Sequence, residues 1–314
     1  MELRKLGRSQ LEVSKLCFGG NVFGWTADEK ESFRLLDTFV DLGFNFIDTA
    51  DVYSVWVEGN KGGESETILG KWLKNSGKRK DIVLATKVGA ELGPSQKGLS
   101  KEYIRKAVEA SLQRLQTDYI DLYQSHYDDQ SLPVTEPLEV YSQLIAEGKV
   151  RFAGASNFSP ERLQEALEAS DRGLPRYESL QPLYNLVERG TFEKEFEPLT
   201  TKYDLGVISY YSLASGFLTG KYRTEADLNK SPRGGGVKKY LNEGGLNVLS
   251  ALDQLAEKYQ ATPAQISLAW LTAQKAVTSA IVSATSTGQL EDIAGSVSLE
   301  LDETDLSLLN EASA

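Results

Sequence analysis

Three observations predict an α/β fold, an eight-stranded (β/α)8 TIM barrel. Short runs rich in β-branched and aromatic residues alternate with longer stretches of helical period, the signature of repeated βα units. Eight such runs occur along the chain. The length, 314 residues, is long for an ordinary domain but normal for a barrel of roughly 250 residues with insertions. One domain over residues 1–314 is therefore expected.

In chain order, Leu3–Leu6 and Leu11–Val13 flank Gly7-Arg8-Ser9-Gln10 and read as a hairpin able to plug the amino-terminal end of the barrel. Barrel strands are expected at Leu16–Gly19, Phe44–Asp48, Ile82–Thr86, Ile120–Gln124, Val150–Ser156, Ser179–Pro182, Gly206–Tyr210 and Ser279–Val282. Helical period lies near Asp28–Leu42, Glu64–Lys74, Ser100–Leu115, Val134–Glu147, Ser159–Ala169, Glu193–Tyr203, Leu246–Tyr259 and Thr287–Ile293. Ser100 is a start signal, and Ser159 and Thr262 each precede a proline at a first helical position, where its missing N–H is no loss. Asp302–Ala312 reads as a terminal helix. The polar stretch from Arg223 to Gly245, with Gly234-Gly235-Gly236 inside it, reads as a mobile loop and a candidate lid.

Composition narrows the function. The 40% hydrophobic content supplies a large core. Neither an apolar stretch of about 20 residues nor a secretory leader is legible, so a soluble, cytoplasmic protein is expected. The single cysteine, Cys17, excludes an internal disulfide, and with the single histidine, His126, it leaves too few soft ligands for zinc. No metal is expected, and Cys17 reads as core packing. A net charge of −11 opposes nucleic acid or an anionic membrane, both polyanions. A small-molecule partner remains, and nothing in the sequence sets an oligomeric state. No GxGxxG follows the first strand, so a Rossmann dinucleotide site is not indicated.

Chemistry collects at the strand tips. Phe44-Asn-Phe-Ile-Asp48 leads into Thr49-Ala-Asp-Val-Tyr53, Ile82-Val-Leu-Ala-Thr-Lys87 ends on a lysine, and Tyr119-Ile-Asp-Leu-Tyr-Gln-Ser-His126 ends on the histidine. All strands of a parallel barrel end on one face, so Asp48, Tyr53, Lys87 and His126 can converge on one pocket. Singly, each has an ordinary reading: a rim aromatic, a solvated lysine, a structural histidine, an aspartate capping a turn. The joint pattern points to a site.

Asp48-Thr-Ala-Asp-Val-Tyr53, Thr86-Lys87 and Gln124-Ser-His126 resemble the catalytic tetrad of the aldo-keto reductases, in the same order and the same strand-end contexts. The resemblance continues through Gly154-Ala-Ser-Asn-Phe158, Gln181, the run from Tyr210 to Lys221 and the run from Val282 to Leu290, nearly the whole chain. It implies reduction of aldehydes or ketones by hydride from a nicotinamide cofactor. Such a reduction needs a proton for the developing alkoxide, and a tyrosine near its ordinary pKa of about 10 is a weak donor. Lys87 is expected to lower the Tyr53 pKa, Asp48 to neutralise Lys87, and His126 to hydrogen-bond the substrate oxygen.

By resemblance, Ser156, Asn157 and Gln181 should hold the nicotinamide carboxamide and Tyr210 should stack on its ring. Leu213, Ser215, Leu218 and Lys221 should fold over the pyrophosphate, and Gly20, Asn21, Ser283, Thr285, Gln289 and Asp292 complete the expected cofactor contacts. Relatives that bind the 2′-phosphate of NADPH usually carry Arg or Lys after the eighth strand. This chain has Ser283-Ala284-Thr285 and Gln289 instead. NADPH is the expected cofactor, with NADH the alternative; a basic residue of the 223–239 loop is one way to supply the missing cation. Trp25, Trp56 and Tyr127 are expected to line a pocket for apolar or aromatic carbonyls. A regulatory subunit that binds cofactor with little turnover is the competing function.

Overall fold

The computed structural model of the protein describes residues 2–314. Strands β1 (Leu3–Lys5) and β2 (Glu12–Ser14) pair antiparallel, with Leu3 opposite Ser14. Eight parallel strands then close a barrel: β3 (Leu16–Gly19), β4 (Phe46–Asp48), β5 (Val83–Val88), β6 (Ile120–Ser125), β7 (Val150–Ser156), β8 (Tyr177–Gln181), β9 (Gly206–Ser209) and β10 (Val277–Val282). Neighbours in sequence are neighbours in the barrel, and β10 returns to pair with β3. The expected strand positions hold to within a few residues at their ends.

Side chains alternate between the barrel interior and the helical jacket, as the two-residue period of a strand requires. At the amino-terminal end the interior is apolar. Cys17, Phe46, Val83, Ala85, Leu122 and Ile208 meet there, and Leu6, Leu11 and Val13 of the hairpin segment close it from below. Gly7 allows this approach: its φ is +56°, and a Cβ there would collide with the Glu178 carbonyl oxygen. The hairpin is thus a plug, as its position in the sequence suggested.

The jacket consists of α1 (Glu29–Asp41), α2 (Glu64–Ser76), α3 (Lys101–Leu115), α4 (Thr135–Ala146), α5 (Pro160–Ala169), α6 (Glu197–Tyr203), α7 (Glu243–Tyr259), α8 (Pro263–Ala273) and α9 (Thr287–Ala294), followed by α10 (Glu303–Ala312). The start signals act as caps: the side chains of Ser100, Ser159 and Thr262 accept from the backbone N–H of Tyr103, Arg162 and Gln265. The expected helix list omitted α8 although Thr262-Pro263 announced it. Its sequence, Pro-Ala-Gln-Ile-Ser-Leu-Ala-Trp-Leu-Thr-Ala, is apolar on every side, and all but three of its residues are buried, so no polar face gave it a period. The expected helix at 193–203 opens with a π-helical turn, Phe192–Phe196, before α6.

The stretch 223–245 departs from the expected bare loop. It folds into 3₁₀ turns at Glu225–Lys230 and Gly234–Tyr240, with Val237 and Tyr240 buried and the Tyr240 ring 5.3 Å from that of Phe217. Gly234 is a packing position: a Cβ there would collide with the Leu228 carbonyl oxygen. Among the described residues no helix is long and apolar enough to cross a membrane.

Candidate functional site

At the carboxyl ends of the strands the interior turns polar. Asp48 is fully buried at the tip of β4. Its Oδ1 accepts from Gln124 Nε2 and Gln181 Nε2, both at 3.0 Å, and its Oδ2 accepts from Lys87 Nζ. Lys87, also fully buried, further donates to the Thr49 carbonyl oxygen at 2.9 Å and to Tyr53 OH at 2.8 Å. An ammonium has three N–H groups, and all three are used. A buried ion pair is tolerable only when its remaining hydrogen-bonding capacity is met, which Gln124, Gln181 and Thr49 accomplish. Tyr53 OH lies 3.3 Å from Asp48 Oδ2, closing a triangle of lysine, aspartate and phenol.

This triangle corrects one expectation. Lys87 was expected to lower the Tyr53 pKa, but burial first, and then the Asp48 carboxylate, hold the phenol well above its ordinary value. Lys87 is paired with Asp48, so its pull on the phenol is partly offset and burial sets the net direction. The phenol is kept protonated. His126 is neutral as well, its pKa pushed far below the usual value by burial and then by Lys87. Its ring meets Tyr53 edge-on with centroids 6.1 Å apart and stacks on Tyr127 at 5.0 Å. Its Nδ1 is buried and has no partner among the described residues.

The structure brings together the four residues read from the strand tips, and a second group surrounds them. Ser156 Oγ donates to the Gln181 carbonyl oxygen at 2.9 Å, and Asn157 Nδ2 donates to Ser156 Oγ at 3.1 Å and to the His126 carbonyl oxygen at 2.9 Å. Tyr210 OH donates to Asn157 Oδ1 at 3.2 Å. Gln181 spends its amide N–H groups inside the barrel, on Asp48 and on Gln124 Oε1 at 3.1 Å, leaving its own Oε1. Tyr210 is half-buried, whereas Tyr211 is 55% exposed and adopts φ +56°, rare for an aromatic residue.

After Leu213, Ala214, Ser215 and Gly216 all have positive φ (47°, 57° and 93°). The curl is closed from within: the N–H groups of Ala214 and Gly216 donate to the Tyr211 and Leu213 carbonyl oxygens at 2.6 and 2.8 Å. Leu218 is fully buried in the core and supports the turn from beneath, while Lys221 is exposed, with its ammonium 5.1 Å from the centre of the Tyr222 ring. Across the mouth, the Asn21 amide is assigned the orientation that matches its surroundings: Nδ2 then donates to the Gly19 carbonyl oxygen at 3.1 Å and to Ser283 Oγ at 2.8 Å, and Oδ1 accepts from Arg233 Nη2 at 3.0 Å. Gly20 is packed against the Ser65 hydroxyl and the Asp48 carbonyl, where a Cβ would be crowded.

Thr285 and Gln289 are exposed and bond to each other, Thr285 N and Oγ1 each donating to Gln289 Oε1 at 3.0 Å. Asp292 lies one turn further along α9 and accepts from Thr262 Oγ1 at 3.2 Å. Trp25 and Trp56 meet edge to face at 5.6 Å, and Trp56 meets Tyr53 at 6.3 Å. Trp56 and Tyr127 are 49% and 50% exposed, so an aromatic rim faces solvent beside the phenol.

The sequence profile described as "Aldo/keto reductase family" matches residues 15–314. The chain belongs to this family. It is 37% identical to "Uncharacterized oxidoreductase YrpG" of Bacillus subtilis (strain 168), over 99% of this chain and 95% of that protein. It is 34% identical to "Aldo-keto reductase YhdN" of the same organism, over 93% and 87%. It is also 35% identical to "Probable voltage-gated potassium channel subunit beta" of Arabidopsis thaliana, over 93% and 90%.

As an aldo/keto reductase the chain also carries functional candidates that sequence reading did not single out. Gln124 belonged to a recognised motif, but its contact with Asp48 appears only in three dimensions. Arg233 is the basic residue that the 223–239 loop delivers to the mouth, and desolvation lowers its pKa. Asp51 is the third. It is 1% exposed, among the described residues neither of its carboxylate oxygens has a hydrogen-bond partner, and burial, with Glu66 nearby, pushes its pKa up to about 8. The spacing of Asp48-Thr-Ala-Asp51 gave no sign of it, because depth behind a strand tip has no period.

Proposed function

We propose that the protein reduces aldehydes or ketones to alcohols with NADPH, and that Tyr53 gives the proton. The observation that carries this reading is the buried triangle of Asp48, Lys87 and Tyr53 beside a neutral His126. A nicotinamide cofactor, when bound, supplies the hydride. The protein's part is to present protons and exclude water. Tyr53 stays protonated across the physiological range, and an alkoxide is far more basic than any phenolate, so transfer to it is downhill. Lys87, already within 2.8 Å of Tyr53 OH, stabilises the negative charge left on that oxygen. A neutral His126 keeps one ring N–H to donate to the carbonyl oxygen, which fixes the substrate's approach.

The residues present fit a phosphorylated dinucleotide. Ser215 in the curled turn 214–216 offers a hydroxyl to a pyrophosphate, Tyr210 offers a ring face, and Ser156, Asn157 and Gln181 Oε1 offer polar atoms beside it. Arg233 fits the 2′-phosphate: its guanidinium is desolvated and lies near the Trp25 ring and the phenols of Tyr211 and Tyr222. A desolvated guanidinium favours a dianion. This supports NADPH over NADH and gives the loop the task that relatives usually assign to the segment after the last barrel strand.

The test is steady oxidation of NADPH, followed by absorbance, on addition of a simple aromatic aldehyde. The likeness to potassium-channel β subunits favours a second reading, a subunit that binds the dinucleotide and acts by association. Tight NADPH binding without turnover on a panel of carbonyl compounds would select it.

Thr285→Arg probes the phosphate end. Thr285 is exposed and engaged only with Gln289. An arginine there is expected to tighten NADPH by about tenfold or more with little change for NADH, because hydrogen bonds to charged groups contribute roughly 1.5–3 kcal/mol. Quenching of tryptophan fluorescence gives both dissociation constants. Equal effects on the two would mean that Thr285 does not face the adenosine phosphate.

A further inference from the structure

The first turn of α2 reaches into the barrel wall. Ser65 and Glu66 lie in that turn and are fully buried. Ser65 Oγ donates to the Gly20 carbonyl oxygen at 2.7 Å, which leaves its lone pairs to accept from Thr49 Oγ1, also at 2.7 Å. Glu66 Oε1 accepts from Thr86 Oγ1 at 2.6 Å. One helical turn therefore grips two strand tips at once, β4 through Thr49 and β5 through Thr86.

The gripped residues are the chain neighbours of the buried ion pair. Thr49 follows Asp48, and its carbonyl oxygen accepts from Lys87 Nζ at 2.9 Å. Thr86 precedes Lys87 on β5, so its side chain faces the helical jacket while that of Lys87 faces the interior. The clasp is itself braced. Glu66 Oε2 accepts from Arg114 Nε at 2.7 Å, and Arg114 Nη2 donates to Ser111 Oγ at 3.2 Å. Gly63, the cap of α2 at φ +84°, packs on the same arginine, with which a Cβ would collide. A buried carboxylate with a partner on each oxygen is hard to shift, because breaking either bond strands a polar group away from water.

We propose that Ser65 and Glu66 are positioning residues that act through Thr49 and Thr86 to fix the Asp48–Lys87 pair, and with it the Lys87 ammonium against the Tyr53 hydroxyl. This rests on the reading of Tyr53 as the proton donor. Neither Ser65 nor Glu66 touches a reacting atom. Lys87 Nζ, 2.8 Å from Tyr53 OH, stabilises the charge that proton transfer leaves on that oxygen only while the distance is kept. A lysine on its flexible four-carbon stem does not keep such a distance unaided. The two strand tips from which Asp48 and Lys87 project must be held relative to each other, and α2 is the one element bonded to the side chains beside both.

Thr86→Val keeps the shape of the side chain and removes the hydroxyl on which the clasp acts. It is expected to lower kcat for aldehyde reduction by roughly ten- to a hundredfold, since a misplacement of about 1 Å can cost about 10²-fold, with the aldehyde KM and the NADPH dissociation constant little changed. Thr86→Ser restores the hydroxyl and should restore kcat. In the reverse reaction, alcohol oxidation with NADP⁺, the pH at which the rate rises should move up in Thr86→Val, because the phenolate of Tyr53 loses part of its cation. The groups facing Tyr53 are Asp48, Lys87, His126, Tyr127 and Cys17. Thermal melts confirm that folded protein is compared, and Thr49→Val, which releases the other strand tip, carries the same test if Thr86→Val does not fold. Wild-type kcat in these variants would overturn the clasp. A loss that Thr86→Ser shares, or that leaves the pH profile unmoved, would reduce it to a support of the fold and overturn it as well. Full turnover by Tyr53→Phe would instead strike the reading of Tyr53 on which it rests.

Discussion

Tyr53→Phe is expected to lower kcat for aldehyde reduction by roughly 10²–10⁴-fold, the usual worth of a positioned general acid, while leaving the NADPH dissociation constant unchanged. The substitution removes one oxygen and keeps the ring, so the edge contacts with His126 and Trp56 persist. Lys87 and Asp48 keep each other, so the buried pair is not broken. The loss is therefore confined to the proton. Because burial and Asp48 hold the Tyr53 pKa high and burial holds that of His126 low, the wild-type reduction rate should also be flat from about pH 6 to pH 8. Near-wild-type turnover by Tyr53→Phe, measured with the same aldehyde, would refute Tyr53 as the donor.

Asp51→Asn should reverse a pH-dependent loss of stability. The Asp51 carboxyl titrates at 3.8 when unperturbed and at about 8 in the folded protein, where burial is the first cause. Between these values the native state holds a proton that the unfolded chain has released, so native stability falls as pH rises and levels off above about 8. Each unit of that interval corresponds to 1.36 kcal/mol. Between pH 5 and pH 8 the wild type should lose up to about 4 kcal/mol that a neutral amide of similar shape does not lose. The other groups facing Asp51 are Glu66, which bonds to Arg114 and Thr86, together with Lys87, Tyr103 and Tyr123. Urea unfolding of wild type and Asp51→Asn at both pH values gives the difference directly. Parallel pH dependences would show that Asp51 is ionised in the native state.

What could be read from the sequence is what strand geometry enforces. A parallel strand places alternate residues inside the barrel and ends on a known face, so Asp48, Lys87 and His126 are legible as a convergent set in the sequence. The hairpin plug followed from its position ahead of the first barrel strand. Properties that depend on distance between loops were not legible. The approach of Arg233 to Asn21 and Trp25 joins residues some two hundred apart in the chain through a segment with no period of its own. The direction of the Tyr53 shift was misread for a related reason: the motif showed a lysine and its aspartate partner, but not the depth at which burial would hold the phenol. Helix α8 escaped because a segment buried on every face shows no alternation of polar and apolar residues.

The plugged floor of the barrel gives the protein an internal clock. Cys17 is the only thiol in the chain, it is fully buried in the lower layer, and its pKa is driven up by that burial. A thiol reagent reaches it only in molecules whose floor has opened, because Leu6, Leu11 and Val13 cover the layer. The rate of labelling in native buffer therefore counts openings of the barrel base, one molecule at a time, without any engineered probe. Comparing that rate with and without dinucleotide would tell whether a ligand held at the mouth steadies the opposite end of the barrel.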